Sequence, residues 1–459
     1  MTETDYKGKK VLVVGAARSG VAAAEFLLAR GATVVLTDRR PLEELPPSIG
    51  QLRGGVSGSR LLLELGGHRA ASFRECDLVV ASPGVPLSLE FFAGSRSAGI
   101  PIIAEVELAY RHIRGRILGI TGSNGKTTTT ELVAEMLRAG GLRGHSAGNV
   151  GVPLISFVAD STGEDFYATE LSSFQLEGID RLRPAVATIL NLTPDHLDRY
   201  AGFEEYVAAK RRIFMNQEPG DFAVLNLDDP LVAAIAEGLA STPVFFSRKV
   251  KPQRGTYVDS GRVLHRDGKS EKELFLLDDI TLRGEHNLEN VLAAATISLM
   301  AGVRPESLRA AVRRFKGVEH RLEWVAEIDG VRYFNDSKAT NVDATIKAIR
   351  AFPGGIHLIA GGRDKGADFS VLRDLVRDRV RELVLIGEAA ETIEGALAGH
   401  TDIRRASSLE EAVGLCRQRA LPGEIVLLAP ACASYDMFEN YEHRGRVFKK
   451  SVLALKQGS

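Results

Sequence analysis

Along most of this chain, short apolar runs alternate with stretches in which apolar side chains return at helical spacing. An unbroken apolar run reads as a strand buried on both faces. Its alternation with amphipathic stretches marks parallel β-α-β units. The first series has a strand at Lys10–Val14, a Gly-containing turn, a helix over Val21–Arg30 and a strand at Thr33–Thr37. A Pro-, Gly- and Ser-rich stretch at 46–60 reads as a mobile loop and as an insertion with no assigned role. The strand Asp77–Ala81 and the turn SPGVP close the series. A second series holds strands at Arg116–Ile120, Phe166–Leu171, Ala185–Leu190, Phe222–Leu227 and Val244–Ser247. Residues 255–283 break the rhythm, and their DSG and RDG turns predict β-hairpins added to this domain. Helices follow near 288–301 and 305–315, then a third series with strands at Val331–Asn335, His357–Ala360, Leu383–Ile386 and Ile425–Ala429. The pattern predicts an α/β protein of three domains, 1–109, 110–316 and 317–459.

Composition narrows the function classes. With 58 Lys+Arg against 59 Asp+Glu, the chain has no basic excess for coating nucleic acid. The polar start MTETDYKGKK does not read as a secretory leader, and no apolar run is long enough to span a bilayer. Cys76, Cys416 and Cys432 are too few and too scattered for a disulfide framework or a zinc site. A cytoplasmic protein without membrane insertion, acting as a monomer, is the expectation.

The strongest motif is G-I-T-G-S-N-G-K-T at 119–127, between a strand and a helix. Glycines let backbone N–H groups turn inward on phosphate oxygens, and the helix N-terminus adds positive potential. Gly122, Ser123, Asn124 and Gly125 would form the cradle, Lys126 would reach the β- and γ-phosphates, and Thr127 or Thr128 would face Mg²⁺. The usual spacing asks for Gly where Ile120 stands, so the loop is a compact variant. Glu170 closes the next strand and His196 lies in DHLD at 195–198, so both fall at the carboxyl rim of the sheet and could hold Mg²⁺. Lys210, in EEYVAAKRRIF, reads on its own as a surface lysine. The turn from Gly15 to Gly20, followed by Asp38 at the end of the second strand, nearly matches a dinucleotide fingerprint in which the acid holds a ribose hydroxyl. Ala17 replaces the middle glycine, which favours some nucleotide diphosphate over NAD. In the third series, NDSKATN (335–341), the loop after IHLIA and PACASYDMFENY (430–441) stand at strand ends and suit a ligand with several carboxylates. An NAD-dependent oxidoreductase and a non-catalytic ATP switch are the alternatives from other classes.

Taken together, TGSNGKTT, AGNVG (147–151), ELSSFQLE (170–177), NLTPDHLDRY (191–200), GEHNLEN (284–290), HR (320–321), NDSKATN and PACASYDMF resemble the Mur ligase family along essentially the whole chain. The resemblance implies a Rossmann-like N-terminal domain for a UDP-substrate, a central P-loop-type ATPase domain and a Rossmann-like C-terminal domain for an amino acid. It implies an ATP-dependent ligase of cytoplasmic peptidoglycan precursor synthesis, adding D-glutamate to UDP-N-acetylmuramoyl-L-alanine through an acyl phosphate. Carried over by position, Lys126 holds phosphates, Glu170 and His196 bind two Mg²⁺ ions, and Lys210 is carbamylated to become an anionic ligand. Asn287, Asn290, Arg321 and Asp336 match ATP contacts. Lys338, Thr340, Lys365, Ser434, Tyr435 and Tyr441 match the D-glutamate pocket. Ala17, Arg18, Ser19, Asp38, Arg39, Ser82, Pro83 and Gly84 match the uridine diphosphate site, and Asn149 a contact to the muramoyl-alanine part.

Overall fold

The computed structural model describes residues 6–45, 49, 50, 52, 60–149, 151–194, 199–268, 270–282, 284–364 and 366–456. They form two compact units, Met1–Phe315 and Lys316–Ser459. Among the described residues the first unit carries two sheets and the second carries one.

The N-terminal sheet has five parallel strands in the order Leu61–Leu65, Thr33–Asp38, Lys10–Val14, Leu78–Ala81, Ile102–Ala104. Its order reverses between Lys10–Val14 and Leu78–Ala81, the place where a doubly wound sheet opens a crevice. The second sheet centres on Arg116–Thr121, flanked by Asp165–Glu170 and Val186–Ile189, with Arg143–Gly148 at one edge. On the other side Phe222–Asn226 and Thr242–Ser247 continue it in parallel. The expected hairpins are Arg254–Asp259, Arg262–Asp267 and Ser270–Leu276, turning at Ser260–Gly261 and Gly268, all with positive φ. They extend the same sheet, since Arg254–Asp259 pairs in parallel with Thr242–Ser247. In the second unit the order is Glu323–Ile328, Val331–Asn335, Ile425–Leu428, Ile356–Gly361, Val380–Ile386, Asp402–Arg405.

Five strands were not foreseen: Leu61–Leu65, Ile102–Ala104, Arg143–Gly148, Glu323–Ile328 and Asp402–Arg405. Each lies at the edge of its sheet. An edge strand needs no unbroken apolar run, as RGHSAG and DIRR show. The Glu323–Ile328 strand had a local signal, the Asp329-Gly330 pair, whose φ values of 49° and 75° suit a tight hairpin turn.

One apolar core runs through both sheets of the first unit, from Leu27 and Leu36 to Leu154, Leu176 and Leu225. The helix Glu105–Tyr110 bridges them. Its Glu107, fully buried, accepts the backbone N–H groups of Asp180, Arg181 and Leu182 at 2.9–3.1 Å and the Arg111 guanidinium at 2.9 Å. Hydrogen bonds to a charged group contribute about 1.5–3 kcal/mol each, so this carboxylate bolts the connecting segment to the second sheet.

Candidate active site

Strand Arg116–Thr121 delivers the phosphate loop at its carboxyl end, and helix Lys126–Ala139 leaves it. Gly122 and Gly125 have φ of 150° and 84°, a region that L side chains avoid. A Cβ on Gly125 would lie 2.1 Å from Asn290 Oδ1, so the loop packs directly on the helix Glu285–Met300 that carries Asn290 and Asn287. Asn290 Nδ2 donates to Asn287 Oδ1 at 3.3 Å, and Thr129 donates to Asn290 Oδ1 at 3.4 Å. Lys126 Nζ donates back to the Gly122 and Ser123 carbonyls at 2.8 and 2.9 Å. Ser123 Oγ donates to the Thr193 carbonyl at 2.9 Å, and Thr127 and Thr128 are buried. Asn124 is held by Asn191, whose Oδ1 accepts its N–H at 2.8 Å and whose Nδ2 donates to its carbonyl at 3.2 Å. Asn191 was not singled out from the sequence, although it opens the NLTPDHLDRY motif.

Register explains the next contacts. Glu170 ends the neighbouring strand, level with Ile120 on one side and Gly148 on the other. Its buried carboxylate accepts from Thr127 Oγ1 at 2.7 Å and from Asn149 Nδ2 at 3.2 Å. Lys210 corrects the plain reading of a surface residue: on helix Phe203–Arg211 it is 1% exposed. Its Nζ donates to the Gly122 carbonyl at 2.9 Å and lies 4.6 Å from the centre of the Tyr206 ring. His196, expected as a metal ligand, and Lys365, expected in the amino-acid pocket, lie outside the described residues, as does most of the 46–60 stretch. The oxygen donors of Thr127 and Glu170 are of the hard type that Mg²⁺ takes.

The crevice of the N-terminal sheet is a cavity of about 840 Å³. It brings together Ala17, Arg18, Ser19, Asp38, Arg39, Ser82, Pro83, Gly84 and Asn149. Ser82 Oγ donates to the Gly15 carbonyl at 2.9 Å, tying the two strand-end loops together. Arg18 donates to the Gly151 carbonyl at 2.8 Å, reaching the loop that carries Asn149. Asn149 therefore both lines the cavity and bonds Glu170, so one side chain links the cavity to the phosphate loop.

In the second unit, Val331–Asn335, Ile425–Leu428 and Ile356–Gly361 are neighbours and release their loops side by side. Asp336 is 7% exposed, and burial pushes its carboxyl up to about 6 against the opposing pull of Arg321. Lys338 donates its N–H to the His320 carbonyl at 3.1 Å, and its ammonium lies 6.0 Å from the centre of the Tyr441 ring. Thr340 donates its N–H to the Lys338 carbonyl at 2.8 Å. Ser434 is buried, whereas Tyr435 is 64% exposed. Arg444, which the sequence reading did not single out, is fully buried behind these loops. It donates to Ser337 Oγ at 3.0 Å, to the Ser337 carbonyl at 2.9 Å and to the Cys432 carbonyl at 3.2 Å. Burial lowers its pKa to about 10, which leaves it a cation at neutral pH.

Comparison with known proteins agrees with this geometry. Three family models match in succession: the MurD-like N-terminal domain of Mur ligases over 9–104, the Mur ligase middle domain over 120–298, and the Mur ligase glutamate ligase domain over 320–432. The chain is 48% identical over 453 residues to a UDP-N-acetylmuramoylalanine--D-glutamate ligase of Koribacter versatilis, covering 99% of each. It is 50% identical to the protein of that name from Acidobacterium capsulatum, covering 98% of this chain and 97% of the relative. The solved UDP-N-acetylmuramate-alanine ligase of Thermotoga maritima shares the fold, with a TM-score of 0.58 at 17% identity over 98% of this chain and 100% of that one. A three-domain α/β ligase driven by ATP is the class that fold and site define. The chain belongs to the Mur ligase family. Members of this family use ATP and Mg²⁺. No helix among the described residues is long and apolar enough to cross a membrane.

Proposed function

We propose that this chain joins D-glutamate to UDP-N-acetylmuramoyl-L-alanine at the expense of ATP. The observation that carries the reading is the chain of contacts from the cavity through Asn149 and Glu170 to Thr127 and the phosphate loop. A nucleotide-bound carboxylate and an ATP γ-phosphate need such a shared border. Relatives named for this reaction match the chain from end to end.

A carboxylate is a poor electrophile, so the substrate carboxylate first attacks the γ-phosphorus, giving an acyl phosphate and ADP. The D-glutamate amine then attacks the acyl carbon, loses a proton, and phosphate leaves. Catalysis of the first step is mostly positioning and charge neutralisation. In this reading residues 1–109 take the uridine nucleotide, 110–316 take ATP, and 317–459 take the amino acid. Lys126 turns its ammonium from its own loop carbonyls to the β- and γ-phosphates. Asn287, Asn290, Arg321 and Asp336 serve ATP, and Lys338, Thr340, Lys365, Ser434, Tyr435 and Tyr441 serve D-glutamate.

Two Mg²⁺ ions are part of the proposal, held by Thr127, Glu170, His196 and Lys210. They supply positive charge against the phosphate oxygens. Lys210 takes up CO₂ on its neutral amine and releases a proton, which turns a buried cation into an oxygen ligand; its burial against the phosphate loop supports this role.

The test is ATP-dependent phosphate release with UDP-N-acetylmuramoyl-L-alanine and, in turn, D-glutamate, L-glutamate and a diamino acid. Release only with D-glutamate is expected. Release with another amino acid would keep the ligase chemistry and overturn the substrate, and no release with any would overturn the reading.

A further inference from the structure

The helix Glu285–Met300 brings Asn287 and Asn290 to the phosphate loop, yet its first turn is poorly secured from within. Gly284 stands at the cap position with φ of 95°, and among the described residues no side chain caps the helix start. Glu285 and Glu289 stand one turn apart on the same face, and like charges at that spacing weaken a helix. Asn287 lies between them in the chain.

Arg248 holds this turn from outside. Its Nε donates to Glu289 Oε1 at 2.7 Å, and a terminal nitrogen pairs with Glu285 Oε2 at 2.8 Å. One planar guanidinium therefore spans both carboxylates, and turning or sliding the helix start would lengthen one of the two contacts. The Arg248 and Glu289 side chains are 21% and 24% exposed against 78% for Glu285, so the pair with Glu289 is the better shielded of the two.

The arginine is fixed at its own backbone as well. Asn226 and Ser247 end two neighbouring strands of the central sheet, Phe222–Asn226 and Thr242–Ser247. Just past the first, Asp228 accepts the Arg248 N–H through Oδ2 at 2.8 Å and the Ser247 hydroxyl through Oδ1 at 2.6 Å. Ser247 Oγ accepts the Lys249 and Val250 N–H groups at 3.0 and 2.8 Å, and Asn226 Oδ1 accepts the Asp228 N–H at 2.9 Å. Arg248 thus leaves a closed turn at the carboxyl rim of the sheet, and one side chain joins that rim to the helix start. It lies outside every motif that carries the family resemblance.

We propose that Arg248 is a positioning residue for ATP: through Glu289 and Glu285 it fixes the first turn of this helix, and with it the place of Asn287. The inference rests on the reading of Asn287 and Asn290 as ATP contacts given above. A cation there has one other way to serve ATP, by attraction at a distance. The two roles predict opposite signs. Neutralising a glutamate releases the charge of Arg248, so attraction would strengthen ATP binding, whereas positioning weakens it.

Calorimetric titration of the full chain with a non-hydrolysable ATP analogue and Mg²⁺ tests it, beside KM values from phosphate release and with the thermal transition of each variant checked first. Arg248→Ala should bind the analogue about fivefold more weakly, the scale that two partly exposed ion pairs allow. The KM for ATP should rise by the same factor, with kcat and the KM values for the UDP-substrate and the amino acid unchanged. Arg248→Lys, which keeps the charge but not the fork, should fall between Arg248→Ala and wild type. Glu289→Gln should weaken binding about threefold, Glu285→Gln less, and Arg248→Ala combined with Glu289→Gln should cost less than the two together. Tighter binding by either glutamine variant would overturn the assignment in favour of attraction. Unchanged affinity in Arg248→Ala would also overturn it, as would a fall in kcat with all three KM values rising together, the mark of general support for the fold. Each of these leaves the ATP reading in place. A wild-type chain that does not bind the analogue would overturn that reading and this inference with it.

Discussion

At the phosphate loop, the groups that would meet a ligand hold one another. Lys126 and Lys210 share the Gly122 carbonyl, Thr127 bonds Glu170, and Asn191 clasps Asn124 on both sides. In residues 316–459 the loops are held from behind. Arg444 reaches from its helix to the Ser337 hydroxyl and carbonyl and to the Cys432 carbonyl, and among the described residues these side-chain bonds go to none of those matched to the ligand. The two regions place polar groups at the ends of parallel strands by opposite means. Where the active groups are their own scaffold, a substitution removes chemistry at once. Where a buried cation is the scaffold, a substitution displaces groups that are themselves intact.

The largest effect that separates the two regions is expected from Lys126→Ala. Losing the one ammonium of the phosphate loop should lower ATP-dependent phosphate release by about 10³-fold or more, the cost typical of removing a fixed charge from a developing anion. Its thermal transition should fall only modestly, because the buried Gly122 carbonyl keeps its bond from Lys210 while the Ser123 carbonyl loses its lysine donor. Turnover within a few-fold of wild type would sink the loop assignment. Lys210→Ala comes next. Phosphate release should fall by about 10²-fold and recover in part with a short carboxylic acid that supplies the missing oxygen ligand. An active variant would reduce Lys210 to a packing residue.

On the other side of the comparison, Arg444→Lys keeps the cation but loses the fork. The Ser337 and Cys432 carbonyls cannot all be reached by one ammonium, and a buried acceptor left unmet costs about 1–3 kcal/mol. The KM for the amino acid should rise by about tenfold while the KM for the UDP-substrate stays put, since the proposed function assigns the latter to residues 1–109. If both rise together, Arg444 supports the fold in general and not these loops.

This contrast also explains what could be read from the sequence. The phosphate loop is contiguous, and each residue is constrained by its neighbours, so Gly122 to Thr128 were legible in order. The Gly15–Gly20 turn and Asp38 could be picked out by pattern, the rest of the residues matched to the uridine diphosphate site came from the family resemblance, and the strand-end loops of the doubly wound sheet bring them to one cavity. Lys210 was not legible by residue type, since its partner is a backbone carbonyl far along the chain, and only family resemblance pointed to it. Arg444 left no signal, because its partners are the backbone of Ser337 and Cys432 and one hydroxyl. Asp38 was legible as a residue of the site but not as one whose carboxylate already accepts from Arg40 and the Ala16 N–H. The strands that escaped notice were all sheet edges; polar positions break the apolar run in RGHSAG, DIRR and EWVAEI, and IIA is only three residues long.

An effect of pH on stability, rather than on turnover, bears on the second region alone. Asp336 sits at 7% exposure beside Arg321, and burial raises its carboxyl from 3.8 to about 6 despite that cation. The sign follows from linkage. Below the unfolded pKa both states are protonated and the folded unit keeps its full stability. As pH rises from there through about 6, the unfolded chain ionises first, so stability is lost over that window. The loss is on the order of 3 kcal/mol at most, since each pKa unit is worth about 1.4 kcal/mol. Asp336→Asn removes the titration. Against wild type, its advantage in unfolding free energy should be least near pH 4 and grow to a plateau above about pH 6. Denaturant unfolding of both chains across that range, without nucleotide, checks it. Parallel pH profiles would mean that Asp336 ionises freely in the folded unit and that its burial costs nothing.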